Sequence, residues 1–186
     1  MPLVETVTDP GLADEVSAVA AATFPLACPP HAHPDAIAEF IKANLSTAAF
    51  AGHITAADSD VLVVRSGPGG PVVGYSLLHH RPPTDPEVAA VVVEPSSEIS
   101  KIYVRPDHHA HRTGAAHSPA QALMAAAVAR ARERGSAVVW LGVNQQNERA
   151  QRFYEKSGFT RAGTKTFNLG GNIEHDYVLV KPAGTD

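Results

Sequence analysis

EISKIYVRPDHHAHRTGAAHSPAQALMAAAVARARERGSAVVWLGVNQQNERAQRFYEKSGF (98–159) is the stretch that decides how this chain folds. EISKIYV (98–104) reads as a strand, 105–118 as a polar, glycine-containing loop, and 119–135 as a helix. SAVVWLGV (136–143) then reads as a buried strand and 147–159 as a second helix. Ser118, Pro119 and Gln121 form a capping pattern, with Ser as N-cap, Pro at the first helical position and Gln reaching back. Leu123, Met124, Ala127, Val128 and Ala131 fall on one helical face. Arg130, Arg132 and Arg134 crowd the last turns, where the helix dipole favours cations, and Gly135 suits the left-handed terminus. The apolar run 137–143 is too short for a helix and reads as a strand covered on both faces. Asn147 is a suitable cap for the next helix, and Gly158 followed by Phe159 ends it. Strand, crossover helix and buried strand together imply parallel pairing.

Outward from this centre, 3–8 alternates as an edge strand, and Leu12, Val16, Val19 and Ala20 give a helical stripe. Residues 24–34, with Pro25, Pro29, Pro30 and Pro34, read as a loop. Asp35 then caps a helix carrying Ile37, Phe40, Ile41 and Leu45. Strands at 61–65 and 72–80 flank the turn SGPGGP. AAVVV (89–93) continues an antiparallel meander into the central strand, and 164–169 with 175–180 forms a hairpin around GGN. Antiparallel strands around a parallel centre make the class mixed α/β.

A chain of 186 residues, 44% hydrophobic and 18% charged, fits one globular domain with a real core. Net charge of −4 and the lack of Lys/Arg runs give no footprint for nucleic acid. No apolar run approaches ~18 residues, so no membrane span is expected. One cysteine, Cys28, allows no internal disulfide and fits a reducing, cytosolic setting. The ten histidines show no zinc-type spacing, so no metal is expected.

IYVRP (102–106), the loop around Arg112, Thr113 and Gly114, the leucine-bearing helix and LGVNQQNERAQRFYEKSGF (141–159) resemble the GNAT superfamily of acetyl-CoA-dependent N-acetyltransferases. FIKANLS near Phe40 and FNLGG with HDYVLVKP in the tail are similar to bacterial polyamine N-acetyltransferases. The resemblance implies a GNAT fold with a central, splayed parallel strand pair, helices on both faces, and acetyl-CoA as cosubstrate. It also implies a small-molecule amine acceptor, a polyamine or another small cationic amine, and family members are often homodimers. A Gly/Ala-rich turn feeding a helix N-terminus is an anion cradle. In the family pattern it holds the CoA pyrophosphate, and HRTGAA matches with His111, Arg112, Thr113, Gly114, Ala115 and Ala116. A second register, with Ser118 and Ala120 in the glycine places, also fits. His109 or His111 would touch a CoA phosphate.

By the same resemblance, Ile102, Tyr103 and Val104 pair through their backbone with the pantetheine arm, and the Val104 N–H polarises the thioester carbonyl. Tyr154 protonates the departing thiolate. Asn147, followed by Ala150, caps its helix and contacts the CoA arm. Glu98 takes the proton from the acceptor ammonium, with Glu94 and Glu87 as rivals. The acceptor pocket is expected from 24–50 and the final hairpin. An acyl-CoA-binding module without transferase activity and a protein N-acetyltransferase are the alternatives.

Overall fold

The computed structural model describes residues 2–109 and 118–184. Seven strands form the sheet: β1 (Val4–Thr6), β2 (Ser59–Arg65), β3 (Val72–His79), β4 (Ser96–Val104), β5 (Val138–Asn144), β6 (Thr160–Leu169) and β7 (Asn172–Pro182). Their spatial order is β1-β2-β3-β4-β5-β7-β6. All neighbours are antiparallel except β4 and β5, which run parallel. The architecture is mixed α/β, with the expected parallel pair at its centre.

Helices α1 (Ala13–Ala27), α2 (Pro34–Asn44), α3 (Thr47–Thr55), α4 (Pro86–Ala89), α5 (Pro119–Glu133) and α6 (Glu148–Lys156) cover the two faces. On one face Leu123, Met124, Ala127 and Ala131 of α5 pack on Leu62, Val64, Ile99, Val139 and Leu141. On the other, Val16, Val19 and Ala20 of α1 and Phe50 of α3 pack on Val61, Val63, Tyr75 and Leu77. Both α5 and α6 start where the capping residues predict. Ser118 Oγ accepts from the Gln121 N–H, and Gln121 returns a bond from the Ser118 N–H. Asn147 Oδ1 accepts from the Ala150 N–H at 3.1 Å. The β6–β7 turn uses Gly170 and Gly171 at φ 60 and 88, the left-handed pair that a two-residue hairpin requires.

Three expectations change, and one helix was not expected. AAVVV is not a strand: Asp85 caps α4 and Pro86 opens it. Val88 and Val92, one turn apart, are then buried on Trp140 and Val178, while Val91 and Val93 stay exposed. Phe24 lies inside α1 and not in a loop, because the helix tolerates Pro25 in its last turn and ends only at Cys28. His33, not Asp35, caps α2, its Nδ1 accepting from the Asp35 N–H. The helix α3, capped by Ser46, had no counterpart in the sequence reading.

The arginines near the end of α5 do more than complement a dipole. Arg130 Nε and Arg134 Nε lie 2.8 and 3.1 Å from Asp60 Oδ2, and His80 Nε2 meets the same oxygen at 2.9 Å. Burial pushes the Asp60 pKa up, but the two guanidiniums outweigh it and hold the carboxyl below its ordinary value. His80 also bonds Ser97, which bonds Ser136. This network ties β2, β3, β4 and α5 together just before the central strands part. No helix among the described residues is long and apolar enough to cross a membrane.

Candidate active site

β4 and β5 pair only at Ser96–Val138, Ser97–Val139 and Glu98–Trp140. Beyond that point β4 continues to Val104 beside β3, while β5 follows β7, so a notch opens between them. The Arg105 N–H donates to the Val73 carbonyl, which makes Gly74–Val104 a pair whose own backbone groups point away from each other. The N–H and C=O of Val104, and by the two-residue period those of Ile102, therefore face the notch. Tyr103 differs from its expected role here: its backbone turns to Tyr75 on β3. His109 Nε2 lies 2.9 Å from the Val104 oxygen and its Nδ1 contacts Arg149, so the histidine closes over the notch's end.

The notch opens into a cavity of about 620 Å³ lined on the β4 side by Glu98, Lys101, Ile102, Tyr103 and Val104, and on the far side by Asn147, Ala150 and Tyr154. Asn147 thus caps α6 and lines the cavity with the same side chain facing the helix. Tyr154 packs edge-on against Phe153 and Phe159, with ring centroids 5.6 and 6.1 Å away. Burial pushes its phenol up to about 12. Burial raises Tyr103 as well, with a further push from nearby Tyr154. Cys28 lines the same cavity, and burial first, then Glu174, pushes its thiol up to about 11. His111, Arg112, Thr113, Gly114, Ala115 and Ala116, the expected pyrophosphate cradle, lie outside the described residues.

Glu98 reaches the cavity through a local irregularity. The β3–β4 register jumps from Leu77–Lys101 to Leu78–Ile99, leaving Ser100 as an extra, bulged residue. Ile99 and Ile102 both face α5, so Glu98 and Lys101 both face the opposite side, although three residues apart on a regular strand would separate them. Burial raises the Glu98 pKa, partly offset by Lys101 and Lys165. Burial lowers Lys101, partly offset by Glu98. The two rivals are occupied elsewhere: Glu94 caps its own turn through the N–H and hydroxyl of Ser96, and Glu87 accepts from the Thr166 N–H. Neither lines the cavity.

Several lining residues escaped the sequence reading. Lys165 and Asp176, cross-strand partners on β6 and β7, form an ion pair at 3.5 Å. Glu174 is buried and bonds His31 at 2.6 Å. Phe40 stacks on Phe24 at 4.6 Å and meets Phe167 edge-on at 5.6 Å, joining α1, α2 and the final hairpin into one wall. Gly142 leaves the room that Lys165 needs, since a Cβ there would sit 2.6 Å from Lys165 Cε. The aromatic wall agrees with the expected segments; the charged pairs depend on β-register, which sequence spacing does not reveal.

The cavity is suited to an extended, amide-bearing arm carrying an activated acyl group. Two outward backbone positions two residues apart, Ile102 and Val104, can pair with such an arm as a strand would. The half-buried Tyr154 phenol lines the same cavity, as do the carboxylates of Glu98, Glu174 and Asp176. A family model described as the acetyltransferase (GNAT) family matches residues 21–159. An uncharacterized N-acetyltransferase from Mycobacterium tuberculosis is 47% identical over 169 residues, covering 91% of this chain and 96% of that protein. The PaiA N-acetyltransferase of Thermoplasma acidophilum, solved in complex with coenzyme A, superposes with a TM-score of 0.71 at 16% identity, covering 97% of this chain and 99% of that one. The ribosomal-protein-S18-alanine N-acetyltransferase of Escherichia coli gives 0.66 at 18% identity, covering 100% of this chain and 96% of that one. At such identities the two structures speak to the fold alone. The family model and the close relative together settle the matter: the chain belongs to the GNAT acetyltransferase family, whose cosubstrate is acetyl-CoA.

Proposed function

We propose that this acetyltransferase moves the acetyl group of acetyl-CoA to a small primary amine by direct attack, with no acetyl-enzyme. The observation that carries the reading is the parting of β4 and β5 after Glu98, which turns the Ile102 and Val104 backbone groups toward a cavity also lined by Tyr154. Acetyl-CoA supplies an activated thioester. The Val104 N–H donates to the thioester oxygen as it gains charge. Glu98 accepts the proton that the acceptor ammonium must lose, and burial, by raising its pKa above the ordinary carboxylate value, makes it a stronger base for that task. The amine nitrogen bonds to the acetyl carbon, the carbon–sulfur bond breaks as Tyr154 donates its proton to the sulfur, and the second proton shed by the nitrogen returns through solvent to the phenolate. A phenol held near 12 stays protonated at working pH, as that role needs.

The acceptor arrives as a cation. Glu98, Glu174 and Asp176 line its end of the cavity against Lys101 and Lys165, leaving an excess of carboxylate. The likeness of FNLGG and HDYVLVKP to polyamine N-acetyltransferases makes polyamines one candidate class within this reading. The test follows thiol release from acetyl-CoA with a panel of alkylamines, amino alcohols, diamines and spermidine. Amine-dependent release supports the reading; release that is independent of every amine removes it.

A further inference from the structure

Lys101 stands on the same side of the sheet as Glu98 only because β4 is irregular at Ser100. The bulge adds one residue between them, and bulges beside functional sites commonly re-aim a side chain. The placement is then held at three points. The hydroxyl of Ser76, a fully buried residue on β3, donates to the Lys101 carbonyl at 3.0 Å. The Lys101 ammonium donates to the carbonyl and the hydroxyl of Ser100, at 3.1 and 3.3 Å. It also lies 5.9 Å from the centre of the Phe40 ring, on the aromatic wall. The residue that creates the bulge thus also anchors the ammonium, in the cavity that Glu98 lines.

The other charged groups around Glu98 are already matched. Arg81 pairs with Asp58 at 2.9 Å, and Lys165 with Asp176 at 3.5 Å. Glu174 meets His31 at 2.6 Å. Asp85, at the start of α4, accepts from the Glu87 N–H. His79, the register partner of Glu98 on β3, bonds Ser59, and burial lowers its pKa to about 4, so it is neutral at pH 7. Burial keeps Tyr103, Tyr154 and Cys28 protonated. Among the described residues, Lys101 forms no ion pair; its ammonium is held by the neutral oxygens of Ser100. Burial favours the uncharged acid at Glu98, and Lys101 is the foremost charge opposing it. Glu98 in turn supports the Lys101 ammonium against its own burial.

We propose that Lys101 is a positioning residue for the transfer reaction: set on Glu98's side of β4 by the Ser100 bulge, its ammonium holds the Glu98 carboxylate in the charged, proton-accepting form. This rests on Glu98 being the base, as proposed above, and has Lys101 act on that base and not on the amine.

Carbon-13 NMR of protein labelled at the glutamate carboxyl carbons follows Glu98 directly, its signal assigned by its loss in Glu98→Gln. In Lys101→Met and Lys101→Gln the Glu98 titration midpoint is expected to rise by about one pH unit, because an opposite charge has gone. Lys101→Arg, which restores the charge, keeps the midpoint near that of wild type. A midpoint that is unmoved or lowered in the Met and Gln variants overturns the proposal, as does an equal rise in the Arg variant. Thiol release with saturating amine separates this from the transfer reading, since the acid limb of kcat should rise with the midpoint. A raised midpoint with an unmoved limb removes Glu98 as the base while its coupling to Lys101 stands. A moved limb with an unmoved midpoint means that Lys101 acts on another group, and the proposal alone falls. A rise in the amine KM with both pH readouts unchanged would make Lys101 a substrate clamp and also overturns it.

Discussion

Replacing Tyr154 with phenylalanine removes one hydroxyl and keeps the ring that packs against Phe153 and Phe159. The size of the effect follows from how well the phenol is matched to its task. In water a thiol near 8.5 is a much stronger acid than a phenol near 10, and protonating its thiolate from a phenol would run uphill. The cavity changes both values. Burial holds Tyr154 at about 12, and Cys28, a thiol lining the same space, at about 11. Burial raises a thiol in these surroundings, as it raises Cys28, so a thiolate leaving there is a stronger base than in water and draws the phenol's proton more readily. Losing a matched general acid slows turnover by about 100-fold, the lower end of its usual worth, because solvent protonates the sulfur in its place. Steady-state thiol release with a saturating amine gives kcat, and calorimetric titration gives the acetyl-CoA affinity, which stays within about twofold. Wild-type kcat shows no alkaline fall below about pH 10, since the acid stays protonated there. Tyr103→Phe is the control: its phenol lines the same cavity but is not the proposed donor, and kcat changes by less than about fivefold. Near-wild-type turnover in Tyr154→Phe, with the large loss in Tyr103→Phe, would falsify the assignment of the acid.

Two other perturbations probe the surroundings. His79 is buried beside Ser59 and His53, and burial, then Arg81, lowers its pKa from 6.5 to about 4. Folding therefore favours neutral His79: its contribution is complete above about pH 6.5 and is lost as pH falls toward 4, amounting to about 2 kcal/mol between pH 7 and pH 5. In His79→Asn, urea unfolding followed by Trp140 emission should show that much less acid sensitivity; parallel curves for variant and wild type contradict this. Gly142→Ala puts a methyl against Lys165 Cε, a flexible group that can move aside at the expense of its pair with Asp176. The fold persists and the KM for amine rises about fivefold, corresponding to about 1 kcal/mol, whereas an unchanged KM would mean that Lys165 has no part in acceptor binding.

The framework of the fold was legible because its signals are local. Ser118, Pro119 and Gln121 announce α5, Asn147 announces α6, and the apolar run before it can only be a buried strand. The segment 89–93 misled because valines favour strands, while Asp85 and Pro86 start a helix four residues earlier and tertiary burial on Trp140 selects Val88 and Val92. Glu98 and Tyr154 could be singled out, but not Lys101: its presence beside Glu98 depends on the bulge at Ser100, which nothing in ISKI marks. Lys165 and Asp176 meet only because the Gly170–Gly171 turn sets the hairpin register. Trp140 read simply as an apolar strand residue. Its place in a buried cluster with Val88 and Val92 appears only once α4 is formed.

Direct transfer at the parted strands is the central claim, and intact-protein mass spectrometry tests it most directly. The protein is mixed with acetyl-CoA alone and then with a reactive primary amine. The account predicts no change in protein mass at the first step, and at the second one acetylated amine for each CoA released. A gain of one acetyl group on the protein before amine is added, chased into product afterwards, would contradict it.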